Sequence, residues 1–123
     1  MHLQESGEMY LETILILSKT SGAVRSLDVA EYMRFSKPSV SRAIGLLKSG
    51  GYVIANAEGH LTLTDSGREI AERIFERHQL LTKFLMYLGV DETTAAEDAC
   101  KMEHDISSAS FEAIKRHATK KQP

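Results

Sequence analysis

Arg34-Phe35-Ser36-Lys37-Pro38-Ser39-Val40-Ser41-Arg42 is a short turn running straight into a helix start. Ser36 is of the type that caps a helix, and Pro38 falls in the first turn, where its missing N–H costs nothing. Downstream, Val40, Ala43, Ile44, Leu46 and Leu47 give the helix a buried side until Gly50-Gly51 stops it. Upstream, Ser26 opens a short helix through Leu27, Val29, Ala30, Tyr32 and Met33, with Asp28 in its first turn, where an acidic group suits the helix dipole. Only Arg34-Phe35-Ser36 joins the two helices, the length a helix-turn-helix needs.

Working outward, residues 5–19 read as an amphipathic helix, with Ser6 as N-cap, Met9, Leu11, Ile14, Leu15 and Leu17 as apolar positions, and Ser21-Gly22 as its stop. On the other side lie two β-prone runs, Tyr52-Val53-Ile54 and Leu61-Thr62-Leu63-Thr64, separated by the polar tip Ala55-Asn56-Ala57-Glu58-Gly59-His60. Helix, helix, tight turn, helix, hairpin is the order of a winged helix-turn-helix, the hairpin being the wing. Thr64 or Asp65 then caps a long helix to about Tyr87, with Ile70, Ile74, Phe75, Leu80, Leu81, Phe84 and Leu85 apolar and Gly89 beyond its end. Asp91 starts another helix through about His104, and Ser107 or Ser108 starts a last one to about His117. Lys120-Lys121-Gln122-Pro123 reads as a frayed tail. The expected fold is mainly α with one small β-hairpin, divided into a winged helix-turn-helix over residues 1–70 and a helical domain over 71–123.

A chain of 123 residues holds one domain or two small lobes, and 42% apolar with 26% charged residues is ordinary for a soluble globular protein. No apolar run approaches the roughly 20 residues that span a bilayer. Met1-His2-Leu3-Gln4-Glu5-Ser6 lacks the basic and apolar regions of a signal peptide, and a single Cys excludes a disulfide within the subunit and suits a reducing compartment. A cytoplasmic location is expected.

The formal net charge of −2 gives no general attraction to nucleic acid. Its distribution does. No acidic residue falls between Glu31 and Glu58, while Arg34, Lys37, Arg42 and Lys48 all do. Screening confines each charge to about 10 Å, so a local cationic surface on a mildly acidic protein can bind phosphates. A recognition helix sets its N-terminal residues against base edges, here Ser36, Lys37, Pro38, Ser39, Ser41 and Arg42. Small Ser and Pro residues permit close approach; Arg42 can read guanine or bind phosphate, and Lys37 can do either too. Lys48 and, at the wing tip, His60 are further candidates for the DNA backbone; a solvated loop histidine is the plainer reading of His60.

A second constellation lies far from the turn. In Cys100-Lys101-Met102-Glu103-His104, a thiol, a carboxylate and an imidazole fall three and four positions apart and so share a helix face. All three are ligands for first-row metals. Met9 and Glu12, three apart on the first helix, and His78 on the long helix are further candidates, though taken alone Met9 reads more often as core, Glu12 as solvated and His78 as a helix-surface residue.

The chain resembles the DtxR/MntR family of metal-dependent repressors, from about Glu8 to about Ile114. The resemblance is carried by Glu8-Met9-Tyr10-Leu11-Glu12-Thr13-Ile14, Ser39-Val40-Ser41, Leu61-Thr62-Leu63-Thr64-Asp65-Ser66-Gly67, Arg77-His78-Gln79-Leu80-Leu81 and Ala99-Cys100-Lys101-Met102-Glu103-His104. It implies that 71–123 is a metal-binding and dimerisation domain and that metal promotes operator binding. Met9 and Cys100 look like the iron-responsive branch, Glu12 and His78 like the manganese-responsive one, while Thr82 and Ala96 stand where the iron branch carries a second site's Glu and His. The implied site is compact: Met9, Glu12, His78, Cys100, Glu103 and His104. Its sulfur ligands favour Fe²⁺, with Mn²⁺ second; Zn²⁺, Co²⁺ or Ni²⁺ should bind in vitro. The expected partners are a double-stranded DNA operator and a second copy of the chain, with no membrane and no small organic substrate. The rival reading is a winged-helix regulator answering an organic ligand or none. A small metallohydrolase is disfavoured, because neither a Gly-rich phosphate loop nor a nucleophile motif is present, and no enzymatic activity is expected.

Overall fold

In the computed structural model of the chain, which describes residues 5–121, the elements run α1 (Glu5–Ser21), α2 (Ser26–Met33), α3 (Lys37–Ser49), β1 (Val53–Ala55), β2 (Leu61–Leu63), α4 (Asp65–Tyr87), α5 (Glu92–Asp105) and α6 (Ser108–Lys121). The order matches the sequence-based expectation: mainly helical, with one antiparallel hairpin. Of the expected tail, Lys120 and Lys121 continue α6, while Gln122-Pro123 lie outside the described residues, as does the Met1–Gln4 part of the N-terminal stretch. The chain forms two compact units, one up to Arg73 and one from Ile74 onward, with the boundary inside α4. Among the described residues, no helix is long and apolar enough to cross a membrane.

In the first unit, α1 packs on α2, α3 and β2. It contributes the buried Leu11, Ile14 and Leu15, and α3 contributes Val40, Ile44 and Leu47 at steps of four and three. Leu46, expected on the buried side of α3, is instead 69% exposed. It lies two positions from Ile44 and therefore on the opposite side of the helix. Between α2 and α3 the chain reverses at Arg34, in the left-handed region at φ 60°; the N–H groups of Arg34 and Phe35 both donate to the Ala30 carbonyl. Ser36 then caps α3: its Oγ accepts from the Ser39 N–H at 3.3 Å and donates to Ser39 Oγ at 2.8 Å.

The wing pairs Val53 with Leu63 and Ala55 with Leu61. Val53, Leu61 and Leu63 face inward, while Ile54 and Thr62 are exposed. β1 begins one residue later than expected because the Tyr52 N–H donates to the Leu47 carbonyl at the end of α3. At the tip, Asn56 Oδ1 accepts from both Glu58 and His60 N–H, and Gly59 takes the positive φ (82°) that the turn requires. One further hydrogen bond, Leu61 N–H to the Val24 carbonyl at 2.7 Å, ties the wing to the segment before α2.

Thr64, not Asp65, caps α4, accepting from the Gly67 N–H at 3.2 Å and donating to the Gly51 carbonyl at 2.6 Å. That joins the start of α4 to the end of α3 and brings the backbone of Gly67 against that of Tyr52. In the second unit, Leu81 of α4, Ala99 of α5 and Phe111 of α6 form the core, with Leu80, Met102, Ile106 and Ile114 packed around it. Asp91 caps α5 by accepting the Thr94 N–H at 3.0 Å, which holds its carboxyl below the usual range. Ser107, rather than Ser108, caps α6 by accepting the Ser110 N–H at 3.1 Å.

Gly67 carries the first testable consequence. A Cβ there would collide with the backbone carbonyl oxygen of Tyr52, which cannot swing aside as a side-chain end could. Gly67→Ala should lower stability by about 1–3 kcal/mol through overpacking, despite the gain in helix propensity. Thermal unfolding of the two chains side by side measures it; an unchanged midpoint would mean that the α3–α4 junction gives way easily.

Candidate metal centre

The C-terminal turn of α5 delivers Glu103 and His104 into the second unit, opposite His78 of α4. The Glu103 carboxylate is fully buried. Its Oε2 lies 3.0 Å from His78 Nδ1 and its Oε1 3.4 Å from His104 Nε2. His78 retains 31% side-chain exposure and His104 only 1%. Cys100, partly buried, stands one helical turn before His104 on the same element.

The chemistry of this donor set suits a divalent transition ion. Carboxylate oxygen, imidazole nitrogen and thiol sulfur are its usual ligands. The spacing suits one too: two ligands at right angles, each about 2.1 Å from a metal, stand about 3 Å apart. His78, Glu103 and His104 are thus brought together as expected, with Cys100 adjoining. Met9 and Glu12 belong to the first unit, where they share a face of α1; Glu12 is buried and Met9 half-buried.

Sequence reading overlooked Arg77. It is buried, and its guanidinium holds the end of α5 in place. Nη1 donates to the Glu103 carbonyl at 3.0 Å and to the Ile106 carbonyl at 2.9 Å, and Nη2 to Ser108 Oγ at 3.3 Å. Its Cζ sits 5.4 Å from the centre of the Phe111 ring. The last carbonyls of a helix lack intrahelical donors and carry the negative end of its dipole, so a buried cation there satisfies both needs. Because the Glu103 carbonyl is one of the groups held, Arg77 also fixes the backbone from which the central carboxylate projects. A signal was available: Arg77 lies three residues after Ile74 and four before Leu81, at the spacing of a buried face.

In the first unit, Ser36, Lys37, Pro38, Ser39, Ser41, Arg42 and Lys48 are all exposed, most of them at the N-terminal end of α3. Ser36 and Ser39 engage their hydroxyls in the helix cap. His60 is half-buried, with Nδ1 3.8 Å from the Glu58 carboxylate.

Comparison with known proteins adds to this geometry. Residues 2–61 match the model of the iron dependent repressor N-terminal DNA binding domain, and residues 64–120 match that of the iron dependent repressor metal binding and dimerisation domain. The chain is 34% identical over 109 residues to the HTH-type transcriptional regulator MntR of Lysinibacillus sphaericus, an alignment covering 89% of this chain and 78% of that one. It is 33% identical over 115 residues to an uncharacterised HTH-type transcriptional regulator of Methanocaldococcus jannaschii, covering 92% of each. Among solved structures, a manganese-dependent transcriptional repressor in complex with manganese superposes with a TM-score of 0.84 at 30% identity, covering 92% of this chain and 52% of that chain. The chain therefore spans about half the length of solved structures that it resembles.

Arg77→Met should leave the buried Glu103 carbonyl and the partly buried Ile106 carbonyl without this donor and cost about 1–3 kcal/mol of stability. Arg77→Lys keeps the charge but not the fork that spans Glu103, Ile106 and Ser108, so it should restore less than half of the loss. Denaturant titration compares the three proteins. Equal stability of the Met variant and the parent would mean that the α5 terminus does not depend on Arg77.

Proposed function

The chain belongs to the iron-dependent repressor family of metal-dependent transcriptional regulators, and we propose that it represses metal-homeostasis genes by binding DNA as a dimer when loaded with Fe²⁺, or with Mn²⁺ as second choice. The observation that carries this reading is the buried Glu103 carboxylate set between the His78 and His104 imidazoles, in the unit matched as metal binding. We assign the complete ligand set to Met9, Glu12, His78, Cys100, Glu103 and His104. The manganese-dependent repressor whose solved structure the chain resembles supports Mn²⁺ as an effector. The thioether of Met9 and the thiol of Cys100 favour Fe²⁺ over it, since sulfur suits the softer ion.

Ligands drawn from α1 and from α4 and α5 make metal binding a constraint on both units at once. An apo chain must lose conformational freedom when it meets DNA; a metal-loaded one has already lost part of it. Cooperativity follows without any metal–DNA contact. A two-fold dimer reads a pseudo-palindrome, with half-sites about 34–36 Å apart or a multiple of that. Within each half-site, Arg42 is assigned to a base edge and Lys37 to a base or phosphate, with Ser36, Pro38, Ser39 and Ser41 at close approach and Lys48 and His60 toward the backbone.

Saturating Fe²⁺ or Mn²⁺ should tighten operator binding by about 1–3 kcal/mol, or about 5- to 150-fold, relative to chelator. Binding to a genomic fragment library at fixed salt under anaerobic conditions provides the readout. Glu103→Gln and His104→Ala should lose the response to every metal. If operator affinity is the same with chelator and with metal, the reading gives way to a winged-helix regulator that answers an organic ligand or none.

Exchanging Met9 for Asp and Cys100 for Glu together replaces soft sulfur by hard oxygen. The ratio of Fe²⁺ to Mn²⁺ midpoints in the same assay should then shift toward Mn²⁺. A ratio that does not move would make these two sulfurs packing residues.

A further inference from the structure

Leu27 is an apolar side chain where a DNA-reading surface has little use for one unless it touches DNA. It stands in the first turn of α2 and is 45% exposed. With Ser26 of the same turn and Lys37 and Ser41 of α3, it lines an open pocket of about 250 Å³. Lys37 and Ser41 lie on the N-terminal half of α3, the part assigned above to base edges, so the pocket opens on that same end of the helix. Its wall is mainly apolar, although Ser26, Ser41 and Lys37 contribute to it.

In the major groove, one base presents an apolar group: thymine, through its C5-methyl. We propose that Leu27, with the Lys37 stem and Ser41, forms a seat for a thymine methyl and makes Leu27 a specificity-determining residue outside the recognition helix. The inference rests on the DNA-binding reading and deepens it. The ammonium of Lys37 remains able to reach a neighbouring phosphate or guanine while its methylene stem covers the methyl. Leu27 itself offers no hydrogen bond, so its contribution is discrimination by burial alone. The natural rival for the pocket's occupant is water, which a polar side chain in place of Leu27 would hold equally well.

The test begins with duplexes selected from a random library by the parent chain in the presence of Mn²⁺. Each thymine of the selected site is then replaced in turn by deoxyuridine, which removes only the methyl. One thymine per half-site should cost the parent about fourfold in affinity, the worth of one buried methyl-sized group. The same replacement should cost Leu27→Ser nothing and Leu27→Met about as much as the parent. 5-Methylcytosine opposite guanine at that position should be preferred to cytosine by the parent and not by Leu27→Ser. Penalties that are the same in parent and Leu27→Ser at every thymine would overturn the proposal while leaving DNA binding in place. Failure to select any sequence would remove the DNA-binding reading and this inference with it. Because Leu27 is half exposed, Leu27→Ser keeps the fold, and its binding to the unmodified site provides the check.

Discussion

The end of α5 in the second unit is arranged around the burial of one carboxylate, that of Glu103. An ionised Glu103 with no solvent exposure would cost several kcal/mol if nothing nearby compensated its charge. The structure places an imidazole nitrogen against each of its oxygens, at 3.0 and 3.4 Å. Two protonatable rings on one carboxylate are a good match for a divalent ion: whatever positive charge they supply as protons, a metal can supply in their place. On the proposed ligand set, a preference for metal would follow from a charge that the fold buries and must neutralise.

The same carboxylate explains why α5 ends where it does. Glu103 sits in the last turn, and the free carbonyls of that turn would themselves be an unfavourable burial. Arg77 resolves this by donating to the Glu103 and Ile106 carbonyls and lying over Phe111, one side chain serving a helix terminus, a loop and the core. Ser107 then begins α6 at once. Backbone and side chain of Glu103 are held by different partners, Arg77 for the first and the two histidines for the second. A side chain held at both ends is preorganised, so a metal bound there would spend less of its binding free energy on ordering it.

What sequence alone could reveal follows from the range of each interaction. The helix-turn-helix was legible because its signals are local: a Ser cap, a Pro in the first turn, a three-residue connection. Cys100, Glu103 and His104 were legible as one face because helical spacing sets it. The stop at Gly50-Gly51 and the hairpin were equally plain, to within a residue. Leu46 misled because an apolar residue beside Leu47 looks like core when only composition is counted; the helical angle sends it outward. Arg77 escaped because its partners, Glu103, Ile106 and Ser108, lie more than twenty-five residues away in sequence. A basic residue on an apolar face carries no local mark of which carbonyls it will meet.

The two units divide affinity from control by chemistry. The acid-free stretch around α3 offers cations whose attraction to phosphate is long in range and indifferent to sequence, and such binding would persist whether or not metal is present. A regulator therefore needs its switch elsewhere, in a property that cations on the surface do not set. The proposed site, with oxygen, nitrogen and sulfur donors, would have that property, because its occupancy would depend on the ion's concentration and softness and not on the DNA. On the proposed ligand set, Met9 and Glu12 would give the switch its leverage, because the helix that carries them also buries Leu11, Ile14 and Leu15 against α2 and α3. An ion held by Met9 and Glu12 would act on the scaffold of the recognition helix without altering a single residue assigned to DNA.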